Sequence, residues 1–81
     1  MTLPPRLLQE IELLLFYDLH NPLEGLKIHH DAEPGKIAAA KRLHDLGITT
    51  LSDGGYLTAR GQEAAELAAT LLNFLQVEPQ S

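Results

Sequence analysis

Apolar residues recur along this chain at helical spacing in three places and alternate briefly in one. Leu7, Leu8, Ile11, Leu14 and Leu15 form a stripe that predicts a first helix over 4–18. Thr2 is its expected cap, and the early prolines suit a first turn whose N–H groups have no helical partner. Leu13, Phe16 and Tyr17 widen that stripe, so packing on two sides is expected. Asn21-Pro22-Leu23-Glu24 carries restart chemistry, with an N-cap, a proline at the first helical position and a reciprocal acid. It predicts a short second helix to about His29, weakened at Gly25 by about 1 kcal/mol against alanine.

Pro34 opens the third predicted helix, which runs to Leu46 with Ile37, Ala39, Ala40, Leu43 and Leu46 inward. Gly47 should end it in the left-handed conformation, with Ile48 folding back on the last turn. Two short strands follow, over 48–51 and 56–57. Ser52-Asp53-Gly54-Gly55 turns between them, because glycine accepts the positive φ of such turns. Thr58 then caps a last helix over 59–77, with Ala64, Leu67, Ala68, Leu71, Leu72 and Leu75 as its stripe. The expectation is one domain over 1–77 and a frayed tail over 78–81. Its class is mainly α with a small two-stranded hairpin (α+β), in the order helix, helix, helix, hairpin, helix. Two strands make no core of their own, so the hairpin must lie against the helices.

The stretch Leu43-His44-Asp45-Leu46-Gly47-Ile48 through Asp53-Gly54-Gly55-Tyr56-Leu57-Thr58-Ala59-Arg60-Gly61 resembles a segment of winged-helix regulators. In those proteins a recognition helix exits through leucine-glycine-isoleucine, then comes a wing, then leucine-threonine-x-x-glycine leading into the last helix. MarR-type and PadR-type repressors share the pattern. The whole chain also resembles a short, uncharacterised gammaproteobacterial family. The matching residues are Glu24-Gly25-Leu26-Lys27 with His29-His30, Ile37-Ala38-Ala39-Ala40 with Arg42-Leu43-His44, and Asp53-Gly54-Gly55-Tyr56-Leu57-Thr58. These resemblances imply a winged helix-turn-helix-like fold and a bacterial source, and they imply no reaction.

Charge narrows the function classes. The 81 residues carry 6 basic and 11 acidic side chains, a net −5. Such a balance disfavours nonspecific binding to nucleic acid or an anionic membrane. Segment 27–47 alone has a basic excess, with four basic against three acidic residues. Lys36, Lys41 and Arg42 on the third helix and Arg60 near the wing are therefore the candidate contacts to double-stranded DNA. Against that stand the small excess and a wing tip that offers Asp53 and no cation. The alternative is a protein-interaction module that keeps the fold without DNA affinity. Leu13, Phe16, Tyr17, Leu72 and Phe74 are the candidate interface, and a homodimer is expected.

Other chemistry is poorly supported. There is no cysteine, so thiolate zinc sites and disulfides are excluded. His29, His30, Asp31, Glu33 and His44 include zinc and nickel ligand types, but adjacent histidines diverge on a helix and no second i, i+4 pair supports them. They suit the polar end of a helix. Ser52, Asp53 and His44 lack a nucleophile elbow or an oxyanion site. No catalytic residue, metal or cofactor is expected. The longest purely apolar run, Leu13 to Tyr17, is far too short to span a bilayer, so a cytoplasmic protein with no membrane partner is expected.

Overall fold

The computed structural model describes residues 2–21 and 23–76. Pro22, expected at a helix start, and the tail from Val77 onward lie outside the described residues. The element order is α1 (Pro5–Leu15), β1 (Leu26–Lys27), α2 (Pro34–Asp45), β2 (Thr49–Leu51), β3 (Gly54–Leu57) and α3 (Ala59–Phe74). Among the described residues the fold is α+β, with three helices and one three-stranded antiparallel sheet in the order β1-β3-β2. That order is consistent with a winged-helix-like topology.

α1 begins at proline as expected, but Pro4 is the cap residue and no side chain caps the helix. Its carbonyl accepts from Leu7 N at 3.0 Å instead. The buried positions are Glu10, Leu13, Leu14 and, one turn on, Tyr17. That i, i+3, i+4, i+7 set lies to one side of the expected stripe, and Leu8 faces solvent.

Among the described residues the expected second helix is absent, and turns and β1 take its place. Asn21 and Glu24 do interact: Asn21 Nδ2 donates to Glu24 Oε2 at 3.3 Å, and Glu24 N donates to Asn21 O at 3.0 Å. The capping chemistry closes a single turn and propagates no further. Leu26 and Lys27 pair instead with Gly55 and Gly54 of β3. A Cβ at Gly54 would strike the Leu26 carbonyl, and the φ of +119° there also favours glycine. The glycines expected only to turn the hairpin thus also admit a third strand.

α2 buries Ala39, Ala40 and Leu43, while Ile37 and Leu46, expected inward, are partly exposed. Its end follows the expectation. Gly47 has φ +77°, its N–H donates to His44 O at 3.0 Å, and Ile48 N donates to Leu43 O at 2.9 Å. Leu13, Ala39, Ala40 and Leu43 form the core, with Leu26, Ile28 and Ile48 against it.

Thr58 ties the wing to α3. Its hydroxyl donates to Gly47 O at 2.6 Å and accepts from Gly61 N at 3.0 Å. A Cβ at Gly61 would collide with the Ile48 carbonyl, so only glycine lets the first turn of α3 sit this close. The inward side of α3 is Gly61 and Ala65. The leucines expected inward at 67, 71 and 75 are exposed.

Candidate functional site

The basic residues of α2 do not share one face. Lys36 and Lys41 are five positions apart, about 140° around a helix. Lys36 leans toward α1, its Nζ 5.6 Å from the centre of the Phe16 ring. Arg42 also turns to α1, where its Nε lies 3.8 Å from Glu10 Oε1. Glu10 is buried and meets Arg6 as well, at 3.8 Å. Arg42 is therefore engaged in holding α2 to α1. Arg60, in the first turn of α3, lies beside Gly47 at the end of α2.

Lys41 points to a different place. It borders an open groove of about 510 Å³ between α2 and the β1 side of the sheet. Ile28, Ile37 and Ala40 are its apolar lining, and Lys27, His29, His30, Ser52 and Asp53 line it with Lys41. Lys27 Nζ lies 3.3 Å from Asp53 Oδ2, so the wing tip is neutralised within the fold. Lys41 has no ion-pair partner among the described residues. Sequence reasoning missed Lys27 as a site residue. The signal was its place opening the one segment with a basic excess, and the β pairing that brings it to Asp53 was not legible.

The histidines at 29, 30 and 44 are exposed. Among the described residues no three of His, Asp and Glu converge as a metal site would require. No hydrogen bond joins His44 to Ser52 or Asp53 among the described residues.

Of the candidate interface residues, Leu13 and Tyr17 are 5% and 6% exposed and belong to the core, closed to any partner. The Tyr17 hydroxyl is buried without a hydrogen-bond partner. Burial, with Asp53 as the second cause, pushes its pKa above the ordinary 10.0. Phe16 is partly exposed, Leu72 is half-buried and Phe74 is 82% exposed. Phe74 does not stand alone. Leu67, Leu71 and Leu75 are 64%, 58% and 62% exposed on the same helix.

Ala64, Leu67, Leu71 and Phe74 follow one another at steps of three, four and three. That is the spacing of a helix–helix seam, with Leu75 at its edge. Glu63 and Thr70 flank the seam on one side. The sequence stripe named several of these residues but assigned them to the core. The small residues Gly61 and Ala65 hold that place instead.

No helix among the described residues is long and apolar enough to cross a membrane. No curated protein and no solved structure matches the chain. A family model does match it over residues 1–76, and the chain accordingly belongs to a family of unknown function, DUF5669.

Proposed function

We propose that this chain is a protein-interaction module that works through the outer face of α3, with a second copy of itself as the partner. One observation carries the reading: Leu67, Leu71, Phe74 and Leu75 of the last helix stand exposed at seam spacing, while Gly61 and Ala65 are its buried residues. Exposed apolar patches of this kind on one element mark association surfaces. A seam on a single straight helix is self-complementary, because a two-fold axis sets each residue against the same seam on the other copy. On this reading Leu67, Leu71, Phe74 and Leu75 make the contact, with Leu72 and Phe16 outside it.

Sedimentation velocity across a wide concentration range tests this. The unmodified chain should pass from monomer to dimer as concentration rises. Leu71→Glu should remain monomeric with an unchanged circular dichroism spectrum. A chain that stays monomeric throughout, or an unaltered equilibrium in Leu71→Glu, refutes the reading.

A second reading is a DNA-binding or transcription-associated module on a winged-helix scaffold. Lys36 and Lys41 favour it, because both are exposed on the helix that the winged-helix resemblance makes the recognition helix. It ranks lower for three reasons. Arg42 is engaged with Glu10, Lys27 is engaged with Asp53, and among the described residues no helix lies between α1 and α2 to support a helix-turn-helix. Phosphate neutralisation dominates DNA affinity, and few free cations are left for it. Fluorescence anisotropy with mixed duplex DNA at low and physiological salt decides it. Binding that falls steeply with salt, and less steeply in Lys41→Ala, would favour this reading. No binding at low salt excludes it.

A further inference from the structure

The groove between α2 and the sheet gathers basic and imidazole side chains from a chain that has few of them. Of 6 basic residues and 4 histidines in a chain of net charge −5, Lys27, Lys41, His29 and His30 line this one concavity. Its apolar lining is Ile28, Ile37 and Ala40. The volume of about 510 Å³ falls within the range of small-molecule sites. Lys41 is exposed at the border of this groove, beside apolar side chains that a bound hydrocarbon tail would cover.

We infer that this groove binds an amphiphilic carboxylate, with the head group at Lys41 and the hydrocarbon chain along Ile28 and Ile37. The local charges select this class. Lys41 is unpaired among the described residues and supplies the first contact. Lys27 is held by Asp53 at 3.3 Å, so the head group is left to Lys41. The same Asp53 repels a long polyanion that must run past it. A single-headed anion avoids Asp53 by turning its tail onto the apolar lining. That lining rewards the tail in proportion to the area covered. The inference concerns a different face from α3 and does not rest on self-association.

The test is a nitrogen-15 amide titration of the full chain with decanoate below its micellar concentration. Acetate serves as the head-only control and inorganic phosphate as the anion without a tail. Saturable shifts confined to residues 27–30, 37–41 and 52–53 are expected with decanoate, and much weaker ones with either control. Lys41 is exposed, so Lys41→Ala should keep the spectrum of the folded chain. It should weaken decanoate by roughly five- to tenfold, as for loss of one partly solvated charge-assisted contact. Asp53→Asn releases Lys27 and should tighten binding. Three results overturn the inference: shifts that fail to saturate or that fall on residues 67–75, decanoate binding indifferent to Lys41→Ala, or phosphate binding as tightly as decanoate.

Discussion

The junction of α1 with α2 and the placement of α3 are built by opposite means. Between α1 and α2, large side chains point inward: Leu13 and Leu43 close on Ala39 and Ala40, and the buried Glu10 is clasped by Arg6 and Arg42. α3 buries Gly61 and Ala65, leaves Leu72 half-buried and exposes Leu67, Leu71, Phe74 and Leu75. It is fixed at its N-terminal end, by the Thr58 hydroxyl between Gly47 and Gly61 and by the close approach of Gly61 to Ile48. A helix placed by backbone contact at one end leaves its outer leucines nothing to pack against within its own chain. The first region is packed within the chain, whereas the second leaves an apolar face exposed.

The sharpest way to break this contrast is to truncate one leucine in each region. Leu43→Ala should destabilise the fold by about 2–5 kcal/mol, the usual cost of a cavity in a packed core. Leu71→Ala at a concentration where the chain is monomeric should change stability by about 0.5 kcal/mol or less, as exposed positions do. Urea denaturation measures both. Equal losses would mean that α3 buries its outer face against its own chain. Gly61→Ala comes next, at roughly 1–3 kcal/mol, because the added methyl meets backbone rather than a yielding side chain. Its loss should exceed that of Ala64→Gly, a change on the outer seam that costs only about 1 kcal/mol of helix propensity.

The same contrast decides how much was legible in the sequence. The end of α2 was readable because its signals are local: Gly47 and Ile48 do what a left-handed cap requires within six residues. Thr58 was readable for the same reason. β1 was not, because two residues make no periodic pattern and their partners, Gly54 and Gly55, lie far along the chain. Local capping by Asn21 and Glu24 was real, but it lost to that pairing. The face of α3 was misassigned because the helix is apolar around most of its circumference, so spacing alone does not choose the inner side. Steric access chose it: only Gly61 and Ala65 allow the helix to sit where Thr58 fixes it. The candidate site suffered accordingly. Lys41 was legible as an exposed cation, whereas the engagement of Arg42 by Glu10 and the groove beneath Lys41 depend on contacts between elements distant in sequence.

Arg42 separates the two regions more finely. If it serves the α1–α2 junction, Arg42→Ala should destabilise the fold by about 1 kcal/mol, and a double-mutant cycle with Glu10→Ala should return a coupling of about 0.5–1 kcal/mol. The modest size follows from the half-exposed guanidinium and the 3.8 Å separation. A cycle with no coupling, together with weaker DNA binding by Arg42→Ala, would move this residue from the junction to a nucleic-acid surface.

The smallest expected effect lies at Tyr17, where the well-packed region carries an imperfection. Its hydroxyl is buried and unpartnered, so Tyr17→Phe removes a desolvated polar group and keeps the ring. Stability at pH 7 should stay level or rise by up to about 1 kcal/mol. The pH dependence has a definite sign. The fold raises the pKa of Tyr17 above 10.0, so the folded chain favours the neutral phenol more than the unfolded chain does. That advantage is fully present below pH 10 and is lost as pH climbs from 10 through the raised folded value. Melts at pH 8 and above pH 10 should therefore show the unmodified chain losing more stability than Tyr17→Phe across that interval. Absorbance titration in a Tyr56→Phe background isolates the Tyr17 ionisation, which should lie above pH 10. An ordinary value there, with equal alkaline losses in both proteins, would mean that water reaches the hydroxyl and that the α1 face is less tightly closed than its leucines indicate.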